Sequence, residues 1–261
     1  TRAKQVDDYI SYRHRIQHLP YRVISLTGSS AHMRVIDPYS NKEKEMISFV
    51  SNDYLGLSHH PEVIKAGIDA LEQYGAGAGA SPLIGGHNFL HEQLEQEIAH
   101  FLKNEYAITY TSGYAANCST LLAMMGKEDI AIMDMFTHAS VFDGCLCTNT
   151  KRFLHNDIDS LVHVLNNAKS FKNRFVIIDG VYSQDGDIAF LDQIYTVCKE
   201  HDAFLIVDDA HGIGVLGKTG RGIIEDYDLL DKVDIITGTF SKAFGCVGGY
   251  AIARKEIITL L

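Results

Sequence analysis

No stretch of the 261-residue chain approaches the ~20 consecutive apolar residues that a bilayer span requires, so no membrane span is expected. Cysteine is scarce and odd in number, with five residues at 118, 145, 147, 198 and 246 and no CxxC among them. That spacing argues against a disulfide framework and against a zinc site, no metal is expected, and a reducing cytoplasm is the expected compartment. Positive charge is also short, 23 Lys and Arg against 33 Asp and Glu for a net charge of −10, so nucleic acid is not the expected partner. An anionic ligand would need positive potential concentrated locally. There is no HExxH and no GxSxG, and no lysine follows glycines at P-loop spacing. GAGAG at 75–79 follows a helical segment instead of a strand, which makes it a poor dinucleotide fingerprint. The opening TRAKQVDDYISYRHRIQHLP has no apolar signal-peptide core and starts without Met, so a trimmed start is expected.

What the chain does have is an ordinary globular composition, 46% hydrophobic and 21% charged, enough for one large core or one large domain plus part of a second. Residues 1–18 read as a helix rich in Arg, His and Tyr, and a strand-like region follows near Met33 to Val50. Beyond them, short apolar runs alternate with helical patterns: YAITY (106–110), DIAIMD (129–134), RFVIID (174–179), AFLIVDD (203–209) and VDIITGTF (233–240). Apolar runs bounded by helices on both sides predict strands buried on both faces, hence a mostly parallel α/β sheet flanked by helices. Such sheets bind ligands beyond the carboxyl ends of their strands, which directs attention to the residues just after each run.

After AFLIV stands DDAHGIG, with Asp208, Asp209 and His211 on a glycine-opened turn. An acid there can cap a helix, bind a ribose or a metal, or pair with a protonated ring nitrogen. After YAITY stands TSGYAAN, where a helix start would turn free amides at Ser112, Gly113 and Tyr114 towards a phosphate, or would simply be a helix start. THAS puts His138 at another strand end, to stack on a planar ligand or cap a helix, and GVYSQDGD offers Ser183 as a donor to a ligand oxygen or as a turn serine.

Lys242 lies in GTFSKAFGCVGGY and is the one charged residue of that stretch. Its neighbours Phe240, Ala243 and Phe244 would desolvate the ammonium, and a desolvated lysine is a good imine former. An aldehyde cofactor held that way also needs an anion cradle for its phosphate, a carboxylate for its ring nitrogen and a planar group against its ring. TSGY, DDAH and THAS offer one of each at three strand ends.

The ordered set SNDYLGLSHHP (51–61), SGYAAN, THAS, DGVYSQDGD, VDDAHGIGVLG and GTFSKAFG resembles the α-oxoamine synthase family, from about Val35 to the end of the chain. The resemblance implies a pyridoxal 5'-phosphate (PLP) enzyme of fold type I, aspartate-aminotransferase-like. Residues 1–45 would be an N-terminal helix and strand segment and 46–261 the large PLP-binding domain, with the family's C-terminal small domain beyond Leu261. By motif, Lys242 would carry PLP as a Schiff base, Asp208 would pair with the ring nitrogen and His138 would stack on the ring. His211 and Ser183 would reach the phenolic oxygen. Ser112, Gly113, Tyr114 and Thr239 would hold the phosphate, and Asn52 would line the substrate pocket. The implied activity is C-acyl transfer, joining a small amino acid, alanine favoured, to an acyl-CoA or carrier-protein thioester, pimeloyl favoured, with loss of CO2. The implied assembly is a homodimer with interface active sites, approached by its partner at YGAGAGASPLIGGHN. A non-catalytic relative that only binds PLP is the alternative from another class.

Overall fold

The computed structural model describes residues 1–18 and 21–261. Helix α1 (Arg2–Arg15) starts on Thr1, whose hydroxyl accepts the Lys4 amide, and it buries none of its residues. Strands β1 (Ile24–Ser25), β2 (His32–Ile36) and β3 (Glu43–Ile47) form a small antiparallel sheet of their own. Its strands are largely exposed, with Val35 the one buried side chain among them. Helices α2 (Pro61–Tyr74) and α3 (Phe89–Phe101) lead into the main body. Proline occupies the first turn of α2, where its missing N–H costs nothing, and Asn88 caps α3 in a reciprocal capping box with His91.

The central sheet then builds up as β4 (Ala107–Tyr110), α4 (Gly113–Met124), β5 (Ile130–Asp134), α5 (Ala139–Gly144), β6 (Asn149–Phe153), α6 (Ile158–Asn166), β7 (Arg174–Asp179), α7 (Leu191–Glu200), β8 (Phe204–Asp208), α8 (Ile223–Asp226), β9 (Ile235–Thr239), β10 (Gly249–Ala253) and α9 (Lys255–Leu260). Its seven strands lie in the order β4-β10-β9-β8-β7-β5-β6. Five of them, β9 to β6, run parallel, and β10 is antiparallel to both of its neighbours. The expected mostly parallel sheet is therefore present, with one reversed strand that the apolar runs did not announce.

Alternation along each strand feeds two cores, one per face. Ile130, Ile132, Val176, Ile178, Leu205 and Val207 enter the larger cluster, while Ala131, Met133, Phe175, Ile177 and Ile206 enter the other. Both faces being apolar is why these strands read as continuous hydrophobic runs. The register aligns their carboxyl ends, since Asp179 pairs with Asp208 and Asp208 with Thr237. Three polar side chains thus stand abreast at the edge of an otherwise apolar sheet. Among the described residues, no helix is long and apolar enough to cross a membrane.

Candidate active site

Beyond those strand ends lies a cavity of about 230 Å3. Its wall includes Ser112, Gly113, Tyr114, His138, Asp208, His211, Thr239 and Lys242, so the structure brings together eight of the ten residues singled out from the sequence. Asn52 and Ser183 are the two that do not line it.

At the turn from β4 to α4, Ser112 is the helix cap: its hydroxyl accepts the Ala115 amide at 3.0 Å and its carbonyl accepts the Ala116 amide at 2.9 Å. The Gly113 and Tyr114 amides then have no acceptor among the described residues, which leaves two donors and the positive end of the helix facing the cavity. Glycine is required at 113 because a Cβ there would lie 2.8 Å from Cβ of Thr239. Thr239 donates its hydroxyl proton to the Gly248 carbonyl at 2.9 Å and accepts the Ser241 amide at 3.1 Å. Ser241, not singled out from the sequence, puts its own hydroxyl 2.7 Å from that of Thr239 and also lines the cavity.

Asp208 closes β8 and is 6% exposed. One carboxylate oxygen accepts the Ala210 amide at 3.0 Å and the other accepts the Asn117 side-chain amide at 2.6 Å. Its neighbour Asp209 turns the other way, into the protein, where it accepts the Ile223 amide at 3.0 Å and ties β8 to the start of α8. Burial pushes the Asp209 carboxyl well above the ordinary range, and its contacts make the second aspartate of DDAH a structural group. Asp179, which closes β7, also lines the cavity and accepts the His138 amide at 3.3 Å. Burial, with Asp208 beside it, raises the Asp179 carboxyl well above its usual value.

His138 caps α5 and meets the ring of Tyr114 edge-on, with centroids 6.2 Å apart. On the opposite wall, the Nζ atom of Lys242 is 2.8 Å from Nε2 of His211. Nδ1 of His211 is 2.6 Å from the Tyr54 hydroxyl, which lies 3.3 Å from Oδ1 of Asn52. One consistent chain of donors runs from Lys242 through His211 and Tyr54 to Asn52, so Asn52 reaches the cavity indirectly. Burial lowers the Lys242 ammonium below its ordinary value, and burial together with the nearby lysine charge pushes His211 down to about 4. The lysine loop is pinned to the Asn52 segment at Gly245, whose φ of +66° and close approach to the Ser58 amide both require glycine.

Ser183 is exposed because its loop folds back on itself. Val181 bridges to Ile188, and the Tyr182 amide bonds the Asp187 carbonyl at 2.9 Å, which puts Ser183 at the tip. Val181, at the base of the same loop, is the residue that lines the cavity.

Behind His138, a second histidine links two loops. Nδ1 of His155 is 3.0 Å from Asp134, at the end of β5, and Nε2 is 2.7 Å from Asp187. Burial lowers the His155 imidazole, but its bonds to the two carboxylates outweigh burial and leave it raised above its ordinary value. A raised histidine contributes stability that is full below the unfolded-state value and is lost as pH rises through the folded-state value. The difference in Tm between the natural chain and His155→Gln is therefore expected to be larger at about pH 6 than at about pH 9, measured by thermal unfolding. An equal difference at both would remove the charge from this clamp.

The sequence model described as "Aminotransferase class I and II" matches residues 44–261, and the chain belongs to that family. It is 40% identical over 255 residues to 8-amino-7-oxononanoate synthase of Saccharophagus degradans, covering 97% of this chain and 63% of the relative. Among solved structures, Sphingomonas wittichii serine palmitoyltransferase superposes with a TM-score of 0.89 at 32% identity, covering 98% of this chain and 65% of that one. A structure described as "SPT with PLP internal aldimine" superposes with a TM-score of 0.89 at 31% identity, over 98% of this chain and 66% of that one. These relatives place the chain in the α-oxoamine synthase branch of the family. The chain spans 63% and 61% of the length of two of the curated relatives it matches.

Proposed function

We propose that the chain carries the large domain of a cytoplasmic PLP-dependent C-acyltransferase, with residues 46–261 forming that domain and 1–45 an N-terminal segment. The reaction is the condensation of an amino acid with an acyl thioester, releasing CoA or carrier protein and CO2 and leaving an α-amino ketone. The observation that carries this reading is Lys242, a desolvated amine with no carboxylate bonded to it among the described residues, facing Asp208 and the two α4 amides that no described residue accepts, across one cavity. The residues present fit PLP: a phosphate suits the turn that glycine keeps open at 113, a carboxylate suits the ring nitrogen, and an amine suits the aldehyde.

When bound, PLP supplies an electron sink for the pair left on Cα as an amino acid loses its proton. The protein's own groups do the rest. Gly113 and Tyr114 amides, with Ser112 and Thr239, would hold the phosphate, and Asp208 would face the ring nitrogen. His138 would cover the ring and His211 would serve the phenolic oxygen, whereas Ser183 stands off the cavity and Asn52 reaches it through Tyr54. Lys242, once free, takes the Cα proton, a role its lowered proton affinity suits.

Alanine and a pimeloyl thioester are the favoured substrates, as in biotin formation, because the 8-amino-7-oxononanoate synthases are the more similar relatives in sequence. The second reading, a serine- or glycine-using member, draws on the high TM-scores of the serine palmitoyltransferase structures. The assembly is a homodimer, supported by two adjacent pairs of exposed apolar side chains, Phe49 with Val50 and Leu83 with Ile84, of which Phe49 is 91% and Leu83 92% exposed. A matrix of alanine, glycine and serine against acyl-CoAs of increasing chain length, read as CoA release by the full-length protein, tests the reading. Release with alanine and pimeloyl-CoA supports the favoured pair, and no release with any pair sinks the activity. Gly113→Ala is expected to weaken PLP binding at least about tenfold, followed by absorbance titration, because charge-assisted amide bonds to the phosphate are displaced.

A further inference from the structure

Asn117 is 4% exposed, sits one turn into α4 and lines the cavity. Each of its amide protons goes to a different site residue. One is donated to Asp208 at 2.6 Å and the other to the hydroxyl of Ser140 at 2.9 Å. Its carbonyl oxygen accepts the Thr237 hydroxyl at 2.6 Å, from the strand next to that of Asp208. Reversing the amide would set its oxygen against an Asp208 carboxylate oxygen, acceptor to acceptor. Thr237 and Ser140 are 1% and 0% exposed, so no water competes for these bonds.

Ser140 passes the orientation on. Having accepted from Asn117, its hydroxyl donates its own proton to Nδ1 of His138 at 2.7 Å, and the Ser140 amide points at the same nitrogen at 3.3 Å. With two donors on Nδ1, the ring proton of His138 belongs on Nε2. The chain Thr237–Asn117–Ser140–His138, with its branch to Asp208, joins three strand ends that are far apart in sequence.

We propose that Asn117 is the positioning residue that couples the two cavity groups, setting the plane of the Asp208 carboxylate and, through Ser140, the tautomer of His138. The consequence for the reaction rests on the PLP reading above: one residue would hold both the partner of the ring nitrogen and the group covering the ring. The geometry itself stands without it.

The test uses full-length protein with labelled histidine nitrogens, with and without PLP, and the variants Asn117→Ala and Thr237→Val. The His138 signal is assigned by its loss in His138→Phe. The natural chain is expected to show His138 protonated at Nε2, and Asn117→Ala a mixture of both tautomers. The visible band of the PLP-loaded protein is expected to titrate with a midpoint moved by about one pH unit, a tenfold change in proton affinity, in Asn117→Ala. Thr237→Val, which keeps the side-chain shape and removes the donor that fixes the amide, should move both signals the same way and less. Should Asn117→Ala not fold, Thr237→Val decides alone. Tautomer and band midpoint at their natural positions in whichever variants fold, even with a lowered Tm, would overturn the proposal and leave Asn117 a packing residue. Failure of the PLP reading looks different: no visible band forms in the natural chain, while the His138 tautomer still reports on Asn117.

Discussion

Lys242→Ala is expected to abolish the borohydride-stable pyridoxyl adduct and to lower CoA release by at least about 10³-fold, because one group serves as both covalent anchor and proton acceptor. Few lysines in the chain share its surroundings. Lys65, for comparison, is ion-paired with Asp69 on the exposed face of α2. Lys242 has a histidine for its neighbour and a lowered proton affinity, so its neutral form is within reach. Lys242→Arg should be as inactive as the alanine variant, since guanidinium remains charged in proteins. Added methylamine should restore part of the proton-transfer rate to Lys242→Ala and none of the adduct. Peptide mapping of the reduced protein decides the matter, and an adduct on any other lysine would remove Lys242 from its role.

The second large effect concerns Asp208. Asp208→Asn should leave PLP bound, since phosphate and aldehyde contacts are elsewhere, but slow deuterium exchange at the amino acid's Cα by about 10³-fold through loss of the charge at the ring nitrogen. Stability should not suffer in proportion. Burial and then the neighbouring Asp208 raise the Asp179 carboxyl, so removing the Asp208 charge relieves a repulsion at the adjacent strand end. Exchange at the natural rate in Asp208→Asn would mean that proton removal at Cα does not depend on the charge of that carboxylate. Asp208→Glu keeps the charge but not the fit to Ala210 and Asn117, and should fall between the two.

The parallel half of the sheet was legible because each of its inner strands is apolar on both sides. Strand β6 was not, since NTKRF is an edge strand with four exposed residues and carries no apolar run. Strand β10 hid inside a glycine-rich stretch, where its alanines and glycines suggest a loop as readily as a strand. The same division holds for the site. His138 and Lys242 stand just past a strand end and are conspicuous in sequence, and Asp208, the last residue of β8, is marked by the acid and histidine that follow it. Asp179 is likewise the last residue of its strand, but glycine and valine follow it and nothing sets it apart from the run before it. Asn117 sits inside a helix, and its importance comes from Thr237, Ser140 and Asp208, none of which is near it in the chain. Tyr54 belongs to a quoted motif, yet nothing in its neighbours points to His211, 157 positions away. Ser183 illustrates the converse: a serine in a suggestive motif is carried off the cavity by a bridge between Val181 and Ile188.

The reversed strand also sets an order of assembly. Strand β4 carries the turn that ends in Gly113, and in the sheet its single neighbour is β10. Gly249 pairs with Tyr110 on one side and Thr239 on the other. While the chain is being synthesised, β5 to β9 can pair among themselves as each emerges, but the phosphate turn has no strand to rest on until Gly249–Ala253 has left the ribosome. Closing a loop that long is slow compared with the local helix and strand contacts made before it. The turn that ends in Gly113 therefore waits, for its one sheet neighbour, on a five-residue strand far along the chain.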